Sequence, residues 1–123
     1  MIVFDKRVEA KQVNIYLYKD AIDFRKQANG LIQVVIDDMQ MQPNDGSVYI
    51  FRSKKKDKLK LLVWDRNGFW LLYKRLEKGH FDFPVQEDGS IQISVDQYDM
   101  LVHAMPLLHL GIDAEKKLNL AKK

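Results

Sequence analysis

Residues 51–81 read FRSKKKDKLKLLVWDRNGFWLLYKRLEKGHF, a basic segment followed by two strand-like runs around a tight turn. Asn67-Gly68 predicts a two-residue hairpin loop of type I′, because both central residues of that turn need φ > 0. The flanking runs, 59–65 and 69–76, are apolar and aromatic-rich, as strands are. With Asn67 and Gly68 as the loop, Arg66 opposes Phe69, Trp64 opposes Leu71, Leu62 opposes Tyr73 and Lys60 opposes Arg75. Side chains alternate across a sheet, so these residues share one face. Leu59, Leu61, Val63, Trp70, Leu72 and Leu76 fall on the other face, with Asp65 and Lys74 as its polar members. That second face reads as core. The first mixes rings with Lys58, Lys60, Arg66 and Arg75. Such a mixture suits nucleic acid, since rings stack on bases and cations meet phosphates. A sheet covered on both sides, with solvated cations at its strand ends, would carry the same pattern.

The chain has 123 residues, enough for one domain, and 46% of them are hydrophobic, enough for a core. No apolar run approaches the roughly 18 residues of a membrane span. The start, MIVFDKRVEAK, lacks a basic region followed by a long apolar core, so no signal peptide is expected. Cysteine is absent, which rules out disulfides and thiolate metal sites and fits a reducing cytoplasm. The formal net charge is only +3, so the basic character matters through its clustering.

Residues 1–11 read as a loosely held lead-in, and 13–18 alternate as a first strand. A long helix is expected over 20–39, capped by Asp20 with Asp23 in its first turn. Phe24, Ala28, Leu31, Ile32, Val35, Ile36 and Met39 form its apolar stripe. Residues 43–46 turn the chain, and 47–52 form a second strand. Three sequential strands with short links predict an antiparallel meander. After 79–84 leaves the sheet, Asp88-Gly89 turns the chain and 90–93 is a short strand. Ser94 with Gln97 makes a capping-box pattern. The helix it starts carries Tyr98, Leu101, Val102 and Met105 and stops at Pro106. Residues 107–112 are apolar but irregular, and 113–123 form a basic tail. The expected fold is therefore α+β: a single domain over 1–112, an antiparallel meander and hairpin sheet packed with one long N-terminal helix and a shorter C-terminal helix.

Little in the sequence points to catalysis. His80, His103 and His109 form no i, i+4 pair, and Pro106 separates the last two. No glycine-rich phosphate loop or nucleophile elbow occurs. Metal-dependent phosphoryl chemistry needs converging carboxylates, and Asp65 and Glu77 lie at opposite ends of the hairpin on opposite faces. No catalytic residue, metal or cofactor is assigned. The basic segment Arg52, Lys54, Lys55, Lys56, Lys58 and Lys60 is the functional candidate, because each cation that meets a phosphate releases counterions. Arg25, Lys26, Lys74 and Arg75 would extend it if they face the same way.

The run Phe51-Arg52 … Asp57-Lys58-Leu59-Lys60-Leu61-Leu62 … Trp64-Asp65 … Gly68-Phe69 … Tyr73-Lys74-Arg75-Leu76-Glu77 … Gly79 … Phe81 resembles the signature of a known family. It is similar to that of the small accessory proteins of the insertion-sequence-66 transposon family, the products of the second open reading frame, labelled TnpB. Upstream, Asp23-Phe24-Arg25-Lys26 and Gly30-Leu31 resemble the family's Asp-x-Arg-Lys … Gly-Leu segment. The likeness runs from about Val13 to Leu101. Gln27 departs from a frequent glycine, and the basic loop carries lysines where arginines are common, which keeps charge but loses the bidentate fork. The resemblance implies a role in DNA transposition beside a larger transposase, and no catalysis. The RNA-guided nucleases that share the TnpB label are a different, far longer group.

The sequence thus leads to a non-catalytic, cytoplasmic accessory protein of DNA transposition. It would bind transposon ends or a transposase–DNA complex through Arg52, Lys54, Lys55, Lys56, Lys58, Lys60, Lys74 and Arg75. Trp64, Phe69 and Tyr73 would supply stacking or partner contacts. The alternative is a protein-interaction module whose aromatic face docks on the transposase, or forms a homodimer, without touching DNA.

Overall fold

Among the described residues, strand β1 (Ile15–Ile22) comes first, and helix α1 (Ala28–Asp37) leads from it to β2 (Val48–Ser53). Strands β3 (Lys58–Asp65), β4 (Gly68–Arg75) and β5 (Ser90–Ile93) follow, and α2 (Val95–Val102) is the last described element. This computed structural model describes residues 13–83 and 90–104. The strands form one five-stranded sheet in the order β4-β3-β2-β1-β5. The expected lead-in at 1–11, the turn at 88–89, Met105 with Pro106, the run 107–112 and the tail lie outside the described residues.

Three expectations about the fold are corrected. The first is the long helix over 20–39. Residues 20–22 instead belong to β1, which runs parallel to β2 from Ile15↔Val48 to Leu17↔Ile50, breaks register, and resumes at Ala21↔Arg52 and Ile22↔Ser53. Burial decides this: Tyr18 and Ile22 are both buried on the sheet face that α1 covers. Asp23 then reverses the chain, accepting from the Arg25 N–H at 2.9 Å through its carboxylate and from the Lys26 N–H at 3.0 Å through its carbonyl. Helix α1 therefore has only 10 residues, and its N-cap, Gln27, makes no side-chain capping bond. The helical period is present from Leu31 onward. Leu31, Val34 and Val35 are buried, Met39 is buried beyond the helix end, and Ile36 points outward.

The second correction is the all-antiparallel meander. The sheet is mixed, because α1 crosses between β1 and β2 and a helical connection returns the chain in the parallel sense. Strands β2, β3 and β4 do form an antiparallel meander, and β5 pairs antiparallel with β1 on the far side.

The two-residue hairpin loop sits one residue earlier in the chain than Asn67-Gly68 implied. Asp65 pairs with Gly68, Trp64 with Phe69, Leu62 with Leu71, Lys60 with Tyr73 and Lys58 with Arg75. The loop residues are Arg66 and Asn67, and Arg66 carries the positive φ, 57°. This register sets Trp64 edge-on to Phe69 at 5.0 Å and lets the Trp70 indole N–H donate to Asp65 at 3.1 Å. A shift of one residue on both strands leaves every side chain on its predicted face. Arg66 occupies a backbone region that disfavours a Cβ. Arg66→Gly is therefore expected to raise stability by about 1 kcal/mol, read as a rise of a few degrees in thermal midpoint. A fall in midpoint would refute the strained turn.

Both sheet faces are core, which explains why β2 and β3 are apolar on successive residues rather than on alternate ones. On one face Leu31 and Val35 of α1 pack with Tyr49, Phe51 and Leu62 of the sheet. Hydroxyls pin that helix and its exit: Tyr18 donates to Asp38 at 3.0 Å, and the Tyr49 hydroxyl lies 2.9 Å from both the Gln42 carbonyl and the Asp45 carboxylate. On the other face Ile15, Leu17, Val48, Ile50, Leu59, Leu61 and Val63 pack with Phe81, Tyr98 and Leu101. The predicted capping box is present. Ser94 Oγ accepts from the Gln97 N–H, and the Gln97 side chain accepts from the Ser94 N–H at 2.8 Å.

Candidate nucleic-acid interface

In the parallel pair β1/β2 the carboxyl ends of both strands open on the same side, the usual place for a ligand crevice in such units. Here that side carries the basic turn between β2 and β3 and the loop between β1 and α1. Ile22, Asp23, Phe24, Ser53, Lys54, Lys55 and Lys58 line an open groove of about 290 Å³ there. The sequence singled out the lysines. It did not bring residues 22–24 to them, because it read those residues as helix.

The basic turn is held firmly. The Lys56 N–H donates to the Ser53 carbonyl at 2.9 Å. Ser53 Oγ donates to Asp57 at 3.2 Å and accepts from the Lys58 N–H at 3.2 Å. The Lys58 ammonium lies 3.2 Å from Asp57, and its hydrogen bond, with that of Ser53, pulls the Asp57 carboxyl below its usual range. Two bonds tie the outer side of the turn to the chain leaving β4: Leu76 N–H to the Asp57 carbonyl at 2.8 Å, and Phe81 N–H to the Lys56 carbonyl at 2.6 Å. Lys54, Lys55 and Lys56 therefore project from a fixed backbone with their side chains exposed.

The facing loop is fixed from below by Lys60. This residue is only 4% exposed, and its ammonium donates to the Phe24 carbonyl at 2.8 Å and the Lys26 carbonyl at 2.7 Å. It also sits over the Phe24 ring, 5.0 Å from the centroid. Burial pulls its pKa down, against a smaller upward pull from Asp23. Lys60 is thus a strut, with two of its three ammonium donors held by backbone carbonyls. On top of the loop, Arg25 clamps Asp23 through Nε and Nη2 at 2.9 and 2.6 Å. That clamp holds the Asp23 carboxyl well below the usual carboxylate range, and the nearby Lys54 ammonium adds to the effect. The Arg25 side chain is 91% exposed, and Lys26 is exposed as well. Both loop cations are thus exposed on the loop whose residues Ile22, Asp23 and Phe24 line the groove.

The other predicted contacts lie elsewhere. Arg52 is on the opposite sheet face, half-buried, with Nη1 donating to the Phe81 carbonyl at 3.2 Å and its guanidinium 4.4 Å over the Phe83 ring. Its Nε is buried with no partner among the described residues, and desolvation lowers its pKa. The Lys74 ammonium donates to the Val102 carbonyl at the end of α2, where a cation favours the helix dipole. Arg75 is exposed and pairs with Glu77 at 3.1 Å. Trp64 and Phe69 are half-buried against each other, while Tyr73 is exposed and tilts toward Phe24 at 6.2 Å. His80 lies near Asp82 and His103 near Asp99. Among the described residues no three histidine or carboxylate side chains converge as metal ligands. No helix among them is long and apolar enough to cross a membrane.

The family model for IS66 Orf2 like protein, TnpB_IS66, matches residues 13–111. The chain belongs to this family. Membership implies an accessory role in transposition, in company with the transposase of the element. Two proteins of Sinorhizobium fredii (strain NBRC 101917 / NGR234) are similar to this IS66 Orf2-like chain. One is the uncharacterized protein y4jC, 33% identical over 93 residues, which covers 76% of this chain and 80% of the relative. The other is the uncharacterized protein y4hO, 29% identical over 99 residues, covering 80% and 86%. No solved structure gives a significant match.

Proposed function

We propose that this IS66 Orf2-like chain is a non-catalytic accessory protein of DNA transposition that grips the phosphate backbone of transposon DNA in the groove between the β1–α1 loop and the β2–β3 turn. The observation that carries this reading is the convergence of Lys54, Lys55 and Lys58 at the carboxyl ends of the parallel strands. Arg25 and Lys26 stand on the facing loop. Cations on rigid backbone reach phosphates at a lower entropic cost than cations on a mobile tail. Binding in this reading rests on backbone charge, and the transposase supplies end recognition and chemistry.

Titration of labelled transposon-end duplex and scrambled duplex across a salt series tests this. Three phosphate contacts predict a slope of log affinity against log salt of about −2.7. The triple variant Lys54→Ala, Lys55→Ala, Lys58→Ala should lose most of that slope and bind at least about tenfold more weakly at low salt. An unchanged slope would refute the groove. Salt-insensitive association with the transposase, and no DNA binding, would favour the partner-docking alternative.

A further inference from the structure

Strand β4 closes one end of the sheet, and among the described residues nothing pairs with its outer side. Its ladder to β3 runs without a bulge from Lys58↔Arg75 to Asp65↔Gly68, and it contains no proline. An eight-residue edge of this kind is a template for another strand. Three large hydrophobic side chains are exposed among the described residues: Ile36, Trp70 and Tyr73. Two of the three lie on β4, Trp70 45% exposed and Tyr73 54%. They point to opposite sheet faces, Trp70 with Leu72 and Tyr73 with Leu71. A partner docking on either face would cover one ring. A strand laid along the edge covers both.

We infer that β4 pairs antiparallel with β4 of a second copy, extending the sheet across a two-fold axis. Two observations select a second copy. The segment 69–73, Phe-Trp-Leu-Leu-Tyr, has an aromatic ring at each end and large hydrophobic residues between, so it meets its own reverse with rings facing rings at both ends and hydrophobic residues facing one another between. The strand's cations, Lys74 and Arg75, are confined to one end, so antiparallel pairing carries them to opposite ends of the joint while parallel pairing would stack them. A two-fold axis normal to the sheet keeps each face with its own kind. Centred on Leu71, it sets Phe69 against Tyr73 of the other copy and Trp70 against Leu72. Lys74 then faces Gly68, which leaves its bond to the Val102 carbonyl intact. This joint is independent of DNA binding.

Sedimentation of the full chain over a concentration series tests the joint. The expected result is reversible doubling of mass in the micromolar range. The double variant Trp70→Lys, Tyr73→Lys should keep the parent's circular dichroism and dissociate at least tenfold more readily. Hydrogen exchange of the parent supplies a second readout: amides of residues 68–75 should gain protection as concentration rises. A parent chain that stays monomeric, a variant that dimerises as well as the parent, or exchange at 68–75 that ignores concentration would each overturn the inference.

Discussion

Phe81→Ala is expected to lower the stability of the fold by about 4 kcal/mol, with a fall in thermal midpoint on the order of 15 °C. Phe81 is fully buried among Ile50, Leu59, Leu61 and Leu101, although it follows the last hairpin strand in a stretch without regular structure. Removing the ring deletes a large apolar area and leaves a void that a sheet face cannot close. The cost also reaches the site. The Phe81 N–H bonds the Lys56 carbonyl and its own carbonyl accepts from Arg52, so the ring anchors the segment that braces the basic turn from behind. The variant should therefore show faster amide exchange at 54–58 even below its melting transition. A loss under about 1 kcal/mol would mean that the ring is not core.

Lys60→Met should lower stability by about 2 kcal/mol and weaken DNA binding without changing its salt slope. Two opposing terms set the size. Each charge-assisted bond to the carbonyls of Phe24 and Lys26 contributes about 1.5–3 kcal/mol, while keeping an ammonium out of water takes part of that back. Methionine fills the space and retains contact with the Phe24 ring, but it leaves both carbonyls to find water. The loop 23–26 then loosens, and with it the wall that faces Lys54 and Lys55. Because the Lys60 ammonium is occupied within the protein, its removal takes away no phosphate contact. A decrease of about 0.9 in the slope would show instead that Lys60 meets a phosphate. Thermal melts and the same salt series separate the two outcomes.

Local patterns in the sequence located the hairpin strands, the β5 strand, the capping box of α2 and the sidedness of β3 and β4. Each of these rests on neighbours in the chain. The errors came where tertiary contacts outweighed local preference. Asp20 and Asp23 look like helix caps beside an apolar stripe, yet parallel pairing with β2 keeps 20–22 extended, and Asp23 is taken by Arg25. The Asn67-Gly68 signal marked the turn, but the loop sits one residue earlier, at Arg66-Asn67, and that register sets Trp64 against Phe69. Charge alone marked the basic segment and made its lysines look equivalent. Only the fold separates them: Lys54 and Lys55 in the groove, Lys60 beneath the loop, Lys74 at the end of α2, and Arg52 on the other face. Phe81 gave no periodic signal because it lies in a short connecting segment without regular structure. The cues for residues 23–26 were the charges of Arg25 and Lys26 and their place in the family pattern, and neither showed which way the segment faces.

The most direct measurement is a titration of transposon-end duplex into the isotope-labelled chain, followed by amide chemical shifts. The groove predicts the largest changes at residues 22–26 and 53–58, collapsing together as salt is added. Changes confined to other residues, with 22–26 and 53–58 silent at low salt, would contradict the groove as the DNA site.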